Sequence, residues 1–270
     1  MKKIVFFLTA FLWLTSASFA KTTSEGTTQV PMVDSMILNI FSDMEKVFLS
    51  RLDKICLSGS VDNVPFAALV RQDDLMHLEA IVLRREGTEK GVMGYLIKLS
   101  GFFAKVDDLS DKEVIKSQHL RSLDLWTLPF FSSEFRLGDF LPGLFLQMRL
   151  TGQEVVPYLG AEHNRLTGLL SADKTHTPSS LSLFINKASK LPAGFQFYDE
   201  DKKRTRSLEI RQYGIFQDKK YAKEIEASDA LNAHKSVLEI QQIVPMKPEA
   251  SSIDFSQINA GNWKNFCSGI

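Results

Sequence analysis

The side chains that most often carry out chemistry in proteins are scattered along this sequence. No pair of its histidines has the helical spacing of metal ligands, and no cysteine partners them. Gly-rich phosphate loops, Gly-x-Ser-x-Gly and His-Glu-x-x-His do not occur. Carboxylates fall mainly in predicted turns and on exposed strand faces, where they are usually solvated. The sequence therefore predicts no enzyme, metal site or cofactor, although an active site assembled from distant residues stays open. The histidines are His77, His119, His163, His176 and His234.

Cys56 and Cys267 are the only two cysteines in the chain. An even number of cysteines in an exported protein is compatible with one disulfide. Such a bond would tie the region after the first predicted helix to the C-terminus. Two free thiols, one buried and one on the C-terminal tail, are the alternative.

Apolar side chains form the stronger pattern, because they recur every three or four residues over residues 33–55. This spacing predicts an amphipathic helix with a long apolar stripe. The helix either packs on a sheet as part of the core or lies in the hollow of a curved sheet and lines a cavity there. The stripe consists of Val33, Met36, Ile37, Ile40, Phe41, Met44, Val47, Phe48, Leu52 and Ile55.

A second apolar helical face is predicted in the irregular region of residues 106–148. It begins after Ser132, Ser133 and Glu134, which have the composition of a helix start. Pro142 and Gly143 interrupt this face, so the helix must kink or break there. A movable lid and an irregular loop over a core both fit this pattern. The face consists of Leu137, Phe140, Leu141, Leu144, Phe145 and Met148.

Alternating apolar and polar residues over residues 181–244 predict an antiparallel meander. The first strand of this region has Leu181, Leu183 and Ile185 on one face and Ser182 on the other. This alternation predicts a sheet with one face on a core and one on water. Residues 192–194 are predicted to form a turn, and the charged run 199–206 a solvated hairpin connection.

The N-terminus has the composition of a targeting segment. Lys2 and Lys3 precede an apolar run, and small residues at Ala17 and Ala20 fit a cleavage site. We expect residues 1–20 to be a cleaved signal peptide, residues 21–31 a flexible lead-in, and residues 32–270 one domain. The 32 basic and 32 acidic side chains balance, so nucleic acid is not an expected partner.

The C-terminal third resembles outer-membrane lipoprotein-sorting proteins, the LolA/LolB-like periplasmic carriers. The resemblance lies in the order of FQFYDEDKK at residues 195–203, KEIEASDA at 223–230, KSVLEIQQI at 235–243 and Asp-Phe-Ser at 254–256. It implies an α+β fold, in which helices cover the concave face of a large curved antiparallel sheet, an incomplete β-barrel. It also implies a soluble periplasmic protein that shields acyl chains of a lipid or lipoprotein. Envelope membrane proteins that deliver or receive cargo are further implied partners.

Under this interpretation the two apolar helical faces bind the ligand. The arginine with which such carriers latch their lid has no evident counterpart in the sequence. Two alternatives stay open: an envelope-stress regulator of the RseB type that binds a partner protein, and an exported hydrolase. The expected ligand-binding residues are Ile37, Ile40, Phe41, Met44, Phe48, Phe140 and Leu144.

Overall fold

The structure is a computed structural model that describes most of the chain after residue 34. It describes residues 35–49, 53–74, 77–85, 92–101, 103–109, 116–140, 149–169, 178–230, 233–259 and 261–268. The predicted signal peptide and lead-in lie outside these residues. The chain divides into two compact units, residues 1–39 and residues 40–270. Residues 35–39, the described part of the first unit, are helical.

One α-helix and thirteen β-strands make up the regular structure of the described residues. The helix α1 spans Ser35–Val47. The strands are β1 (Ile55–Val61), β2 (Val64–Asp74), β3 (His77–Arg85), β4 (Val92–Ser100), β5 (Phe103–Asp108), β6 (Lys116–Arg121), β7 (Arg149–Tyr158), β8 (Ala161–Leu169), β9 (Ser180–Asn186), β10 (Pro192–Tyr198), β11 (Arg204–Phe216), β12 (Lys219–Asp229) and β13 (Lys235–Pro245).

All thirteen strands belong to one antiparallel sheet. Its order is β6-β5-β4-β3-β2-β1-β13-β12-β11-β10-β9-β8-β7, so two meanders join where β1 pairs with β13. Within the described residues β6 and β7 are the two edges, and the sheet is not closed. The predicted α+β fold, a large antiparallel sheet forming an incomplete barrel, is confirmed.

One face of the sheet, which we call the outer face, packs against the C-terminal segment, residues 246–259 and 261–268. Leu69, Ile81, Leu83 and Leu96 form an apolar cluster there with Phe255 and Ile258 of that segment. A disulfide joins Cys56 of β1 to Cys267, and both half-cystines are buried. The bond thereby fixes the end of the chain to the middle of the sheet.

Helix α1 ends at Val47, so the prediction of one helix over residues 33–55 is wrong in its length. Phe48 forms a bridge with Lys220 of β12, and Leu49 donates a backbone hydrogen bond to the Lys220 carbonyl. Ile55 instead begins β1, where it is buried and pairs with Val70 of β2. Ile55, which the helical pattern included, is therefore paired in the sheet.

Strand β9 is covered on both of its faces, in contrast to the half-exposed strand that alternation predicts. Ser182 and Phe184 are buried together with Leu181 and Leu183. Residues 192–194, predicted to be a turn, lie in β10, where a register shift interrupts the pairing with β9. The turn itself occurs at residues 187–189.

No helix among the described residues is both long enough and apolar enough to cross a membrane.

Candidate ligand-binding face

The chain between β6 and β7 must pass from one edge of the sheet to the other. Residues 122–140 of this connection, which we call the crossover segment, contain two short 3-10 helices at Ser122–Trp126 and Leu137–Phe140. The segment contributes six large buried side chains. These are Leu125, Trp126, Phe130, Phe131, Phe135 and Leu137.

Strand register shows which side chains face the crossover segment. Cross-strand partners project from the same face of a sheet, as do residues two apart in a strand. Phe66 pairs with Arg84, and Phe197 pairs with Arg206. We call the face that carries these four residues the inner face. It continues across the sheet through Val61, Ala68, Val82, Tyr95, Leu166, Leu181, Leu183, Leu208, Ile225 and Leu238.

Aromatic contacts hold the crossover segment on the inner face. The ring of Trp126 lies 6.3 Å from that of Phe197 on β10. Phe130 meets Phe66 of β2 edge to face at 6.0 Å, and Phe131 lies 5.4 Å from Tyr95 of β4. The segment therefore contacts strands from both meanders.

A buried ion pair fixes the same segment to β11. The Arg206 guanidinium binds both carboxylate oxygens of Asp139, with an Nη2–Oδ1 distance of 2.8 Å, and both side chains are almost fully buried. Arg206 also lies 4.0 Å over the Phe197 ring, and Asp139 accepts a third hydrogen bond from the Arg136 backbone N–H. Burial, followed by the nearby Arg206 charge, lowers the pKa of the Arg136 guanidinium.

Arg206 corrects the prediction that residues 199–206 form a solvated connection. Strand β11 begins at Arg204, and Arg206 is buried. The sequence contains one signal for this position, because Arg206 has the same parity as the apolar residues Leu208 and Ile210.

Large apolar side chains on five neighbouring strands of the inner face stay partly accessible to solvent, and we call one from each strand, five in all, the apolar patch. They lie on neighbouring strands, in the order β10, β11, β12, β13 and β1. The patch residue of β12, Ile225, lies between Lys220 and Ala227. Lys220 contacts the end of α1, and Ala227 pairs with Ser236, whose hydroxyl accepts a hydrogen bond from the crossover segment. The patch consists of Phe195, Ile210, Ile225, Ile240 and Leu57.

The predicted ligand-binding residues fall in two separate elements of the structure. Phe41 and Met44 of α1 are buried, whereas Ile40 and Phe48 are partly exposed. Phe140 belongs to the crossover segment, where its ring lies 4.3 Å from that of Phe130. The side chain of Ile37 and the whole of Leu144 lie outside the described residues.

The end of α1 is held by the β11–β12 hairpin. Lys219 donates a hydrogen bond of 2.8 Å from Nζ to the Glu45 carbonyl, and Leu49 N–H donates to Lys220 over 2.7 Å. Burial raises the pKa of the Glu45 carboxyl. These contacts place the C-terminal end of α1 beside the first residues of β12.

Within the described part of the chain, no group of three or more His, Cys, Asp and Glu side chains is placed to hold a metal ion. Of the histidines, His163 is buried, and its Nδ1 lies 3.0 Å from the Ala161 carbonyl oxygen. His234 pairs with Asp229 at an exposed site.

Comparison with known proteins identifies the fold. No family model and no curated protein matches the sequence. A domain described as an outer membrane lipoprotein-sorting protein, from Vibrio parahaemolyticus, superposes with a TM-score of 0.63 at 14% identity, over 84% of this chain and 96% of that chain. A LolA superfamily protein from Nitrosomonas europaea gives 0.59 at 14% identity, over 81% and 98%.

A third solved structure of similar size has the same architecture. A DUF1329 family protein from Desulfovibrio piger superposes with a TM-score of 0.62 at 11% identity, over 84% of this chain and 97% of that chain. The resemblance drawn from the C-terminal third of the sequence is thus confirmed at the level of the fold. The chain has the LolA-like fold, an incomplete antiparallel barrel, over most of its length.

Proposed function

We propose that this protein binds acyl chains of a lipid or lipoprotein on its inner face and carries them through the periplasm without chemical conversion. The observation that carries the proposal is the apolar patch. Phe195, Ile210, Ile225, Ile240 and Leu57 stay partly accessible on adjacent strands, beside a segment that can act as a cover.

The physical basis of binding is removal of methylene groups from water, which is worth about 0.8 kcal/mol for each one buried. A patch of Phe, Leu and Ile side chains supplies that environment without a directional contact. Shape and apolar surface therefore suffice for this function, and no reactive side chain is required.

The crossover segment is suited to act as a lid over this face. Its contacts with the sheet include aromatic rings, the buried pair Arg206–Asp139 and a hydrogen bond from the Glu134 backbone N–H to the Ser236 hydroxyl. A buried pair is costly to break, because each charge then remains without its partner. The pair would thus favour one closed position of the segment, and we assign to Arg206 the role of the lid latch.

The fold supports the proposal without specifying the cargo. The Vibrio parahaemolyticus domain is described as a lipoprotein-sorting protein, and its architecture recurs here. Export is part of the proposal: we expect cleavage after Ala20, so that periplasmic material begins at Lys21. N-terminal sequencing that returns Met1 would reject this step.

The deciding experiment compares substitutions on the two faces of the sheet. Ile225→Asn introduces a polar side chain into the apolar patch, whereas Val237→Asn does so at an exposed outer-face position on the next strand. Binding would be followed by displacement of a fluorescent fatty-acid probe, together with mass spectrometry of co-purified lipid. Urea unfolding of each variant would separate lost binding from lost stability.

We expect Ile225→Asn to weaken displacement at least several-fold and Val237→Asn to leave it unchanged. If folded wild-type protein carries no lipid and binds no probe, the carrier function is wrong, and a role in binding a partner protein takes its place.

A further inference from the structure

A second arginine, Arg84 of β3, faces inward on the same face as Arg206. Its position follows from its pairing with Phe66 and from the adjacent pairing of Val82 with Tyr95. The Arg84 guanidinium carbon lies 5.1 Å from the centre of the Phe131 ring in the crossover segment. Arg84 therefore lies where the crossover segment contacts the sheet.

The two inward arginines differ in their hydrogen bonds. Arg206 has Asp139 as a bidentate partner. The Nε of Arg84 is buried and has no hydrogen-bond partner among the described residues. A buried donor of a charged group that lacks an acceptor is destabilising, so such positions usually serve a ligand, an ion or ordered water.

Tyr95 supplies a second polar group at this place. It lies beside the Phe131 ring, and the Phe131 backbone forms a hydrogen bond with its hydroxyl. Burial, and then the Asp108 carboxylate, raises the pKa of the Tyr95 hydroxyl, so it keeps its proton at neutral pH. A protonated hydroxyl that accepts from the backbone can still donate its hydrogen to a ligand oxygen.

Phe131 itself has an unusual backbone conformation. Its φ is +55°, in the left-handed region that bulky residues rarely adopt. Conformations of this kind persist only where surrounding contacts impose them, and they concentrate at functional sites. The contacts around Phe131 hold its ring against both Arg84 and Tyr95.

Strand register connects Arg84 and Tyr95, which we call the polar corner, with the apolar patch. Ile240 pairs with Gly59, Gly59 with Phe66, and Phe66 with Arg84. These four residues therefore form one row across the inner face, and three strand spacings separate its ends by about 14 Å. The row therefore has a cationic side chain at one end and a residue of the apolar patch at the other.

We propose that Arg84 and Tyr95 bind the oxyanion headgroup of a singly charged amphiphile, such as a fatty-acid carboxylate, whose acyl chain lies on the apolar patch. This inference rests on the proposed function and specifies its ligand class. Asp108 also faces inward, opposite Tyr95 in the register. One positive and one negative group at the corner favour a monoanion over a doubly charged phosphate, because each added negative charge is repelled by Asp108.

The test compares two ligands of equal chain length, oleate and oleyl alcohol, as competitors of a neutral fluorescent acyl probe at pH 8. We expect wild-type protein to bind oleate at least about tenfold more tightly, the effect of one charge-assisted hydrogen bond. Arg84→Gln should remove this preference, and Arg84→Lys should retain part of it. Arg165→Gln, which alters an exposed outer-face pair with Glu154, should leave it unchanged.

Inorganic phosphate serves to distinguish a site for a free anion from a site for a lipid headgroup. Millimolar phosphate should not displace the probe. Equal wild-type affinities for oleate and oleyl alcohol, or a preference that survives in Arg84→Gln, would overturn the inference while leaving acyl binding intact. Displacement by phosphate alone would assign the corner to a free anion and overturn it as well. Failure of both oleate and oleyl alcohol to bind would instead reject the proposed function.

Discussion

The guanidinium of Arg206 on β11 and the carboxylate of Asp139 in the crossover segment form a bidentate ion pair, with almost no solvent contact on either side chain. The two residues lie 67 positions apart in the chain. Their pairing joins the second meander to a segment that arrives from the opposite edge of the sheet. This ion pair thus anchors the crossover segment to the interior of the protein.

Removing one partner of this pair should cost far more stability than removing a surface ion pair. We expect Asp139→Asn to lower the free energy of unfolding by about 3–5 kcal/mol, because Arg206 is left buried without an anion. Glu162→Gln, which breaks an exposed pair with Lys187, should cost less than about 1 kcal/mol. Urea unfolding measures both, and similar losses in the two variants would contradict the assigned role of Asp139.

Gly138 should tolerate no side chain, because Trp126 occupies the space beside it. A Cβ at this position would lie 2.3 Å from Cδ1 of the indole. We expect Gly138→Ala to displace the ring, lower stability by about 1–3 kcal/mol and change probe binding. Gly152→Ala is the control, since no described atom comes within 4 Å of its Cβ. Unchanged unfolding and tryptophan fluorescence in Gly138→Ala would show that the contact is dispensable.

Reduction of the disulfide should release the C-terminal segment from the outer face. Cys56 and Cys267 are separated by 211 positions, and the entropy of so long a loop corresponds to a stabilisation of up to about 5 kcal/mol. Hydrogen exchange of residues 246–268 should accelerate in Cys56→Ala/Cys267→Ala. The double variant should also unfold identically with and without reductant, whereas wild-type protein should not. Equal exchange in the two proteins would argue that packing alone holds the segment.

The network around Glu226 should make stability depend on pH in the acid range. The Glu226 carboxylate accepts hydrogen bonds from Lys235 at 2.8 Å and Arg211 at 3.0 Å, and these lower its pKa below the ordinary 4.5. The folded state therefore binds fewer protons than the unfolded state near that pH. The stabilisation is complete above the unfolded-state pKa and is lost as pH falls through the folded-state pKa.

Partial exposure limits this contribution to less than about 1 kcal/mol. Urea unfolding between pH 3 and pH 7 should show a difference between wild type and Glu226→Gln that shrinks on acidification. High salt should reduce the same difference, because it screens surface charges. A difference that is constant across the range would show that the carboxylate charge plays no part.

Local patterns in the sequence were informative about the strands. Alternation at Leu181, Leu183 and Ile185 predicted a strand that is present as β9, and the order of segments in the C-terminal third pointed to the correct fold. Both signals depend on residues close together in the chain. They survive because a meander pairs each strand with its sequence neighbour over most of the sheet.

The candidate site was less predictable, because its parts meet only after folding. Arg206 belongs to a charged run that resembles a solvated connection, and its burial depends on Asp139 arriving through the crossover segment. Arg84 lies near the end of a strand whose apolar character the sequence does show. That its Nε lacks a hydrogen-bond partner and lies near Phe131 is visible only in the folded chain.

The sequence by itself determined the spacing of apolar side chains, and hence that this chain forms many strands and an amphipathic helix. Of the second predicted helical face, the described part is the short 3-10 helix Leu137–Phe140, and residues 141–148 lie outside the described residues. The tertiary structure decided where the helix stops, because Ile55 pairs in β1 instead of continuing the helical stripe. It also decided that β1 lies beside β13, that Cys56 and Cys267 come within 5.9 Å between Cα atoms, and that two arginines face inward. Periodicity reports which side of its own strand a residue occupies. The partner across that face is chosen by register and chain path between distant segments, on which a local pattern carries no information.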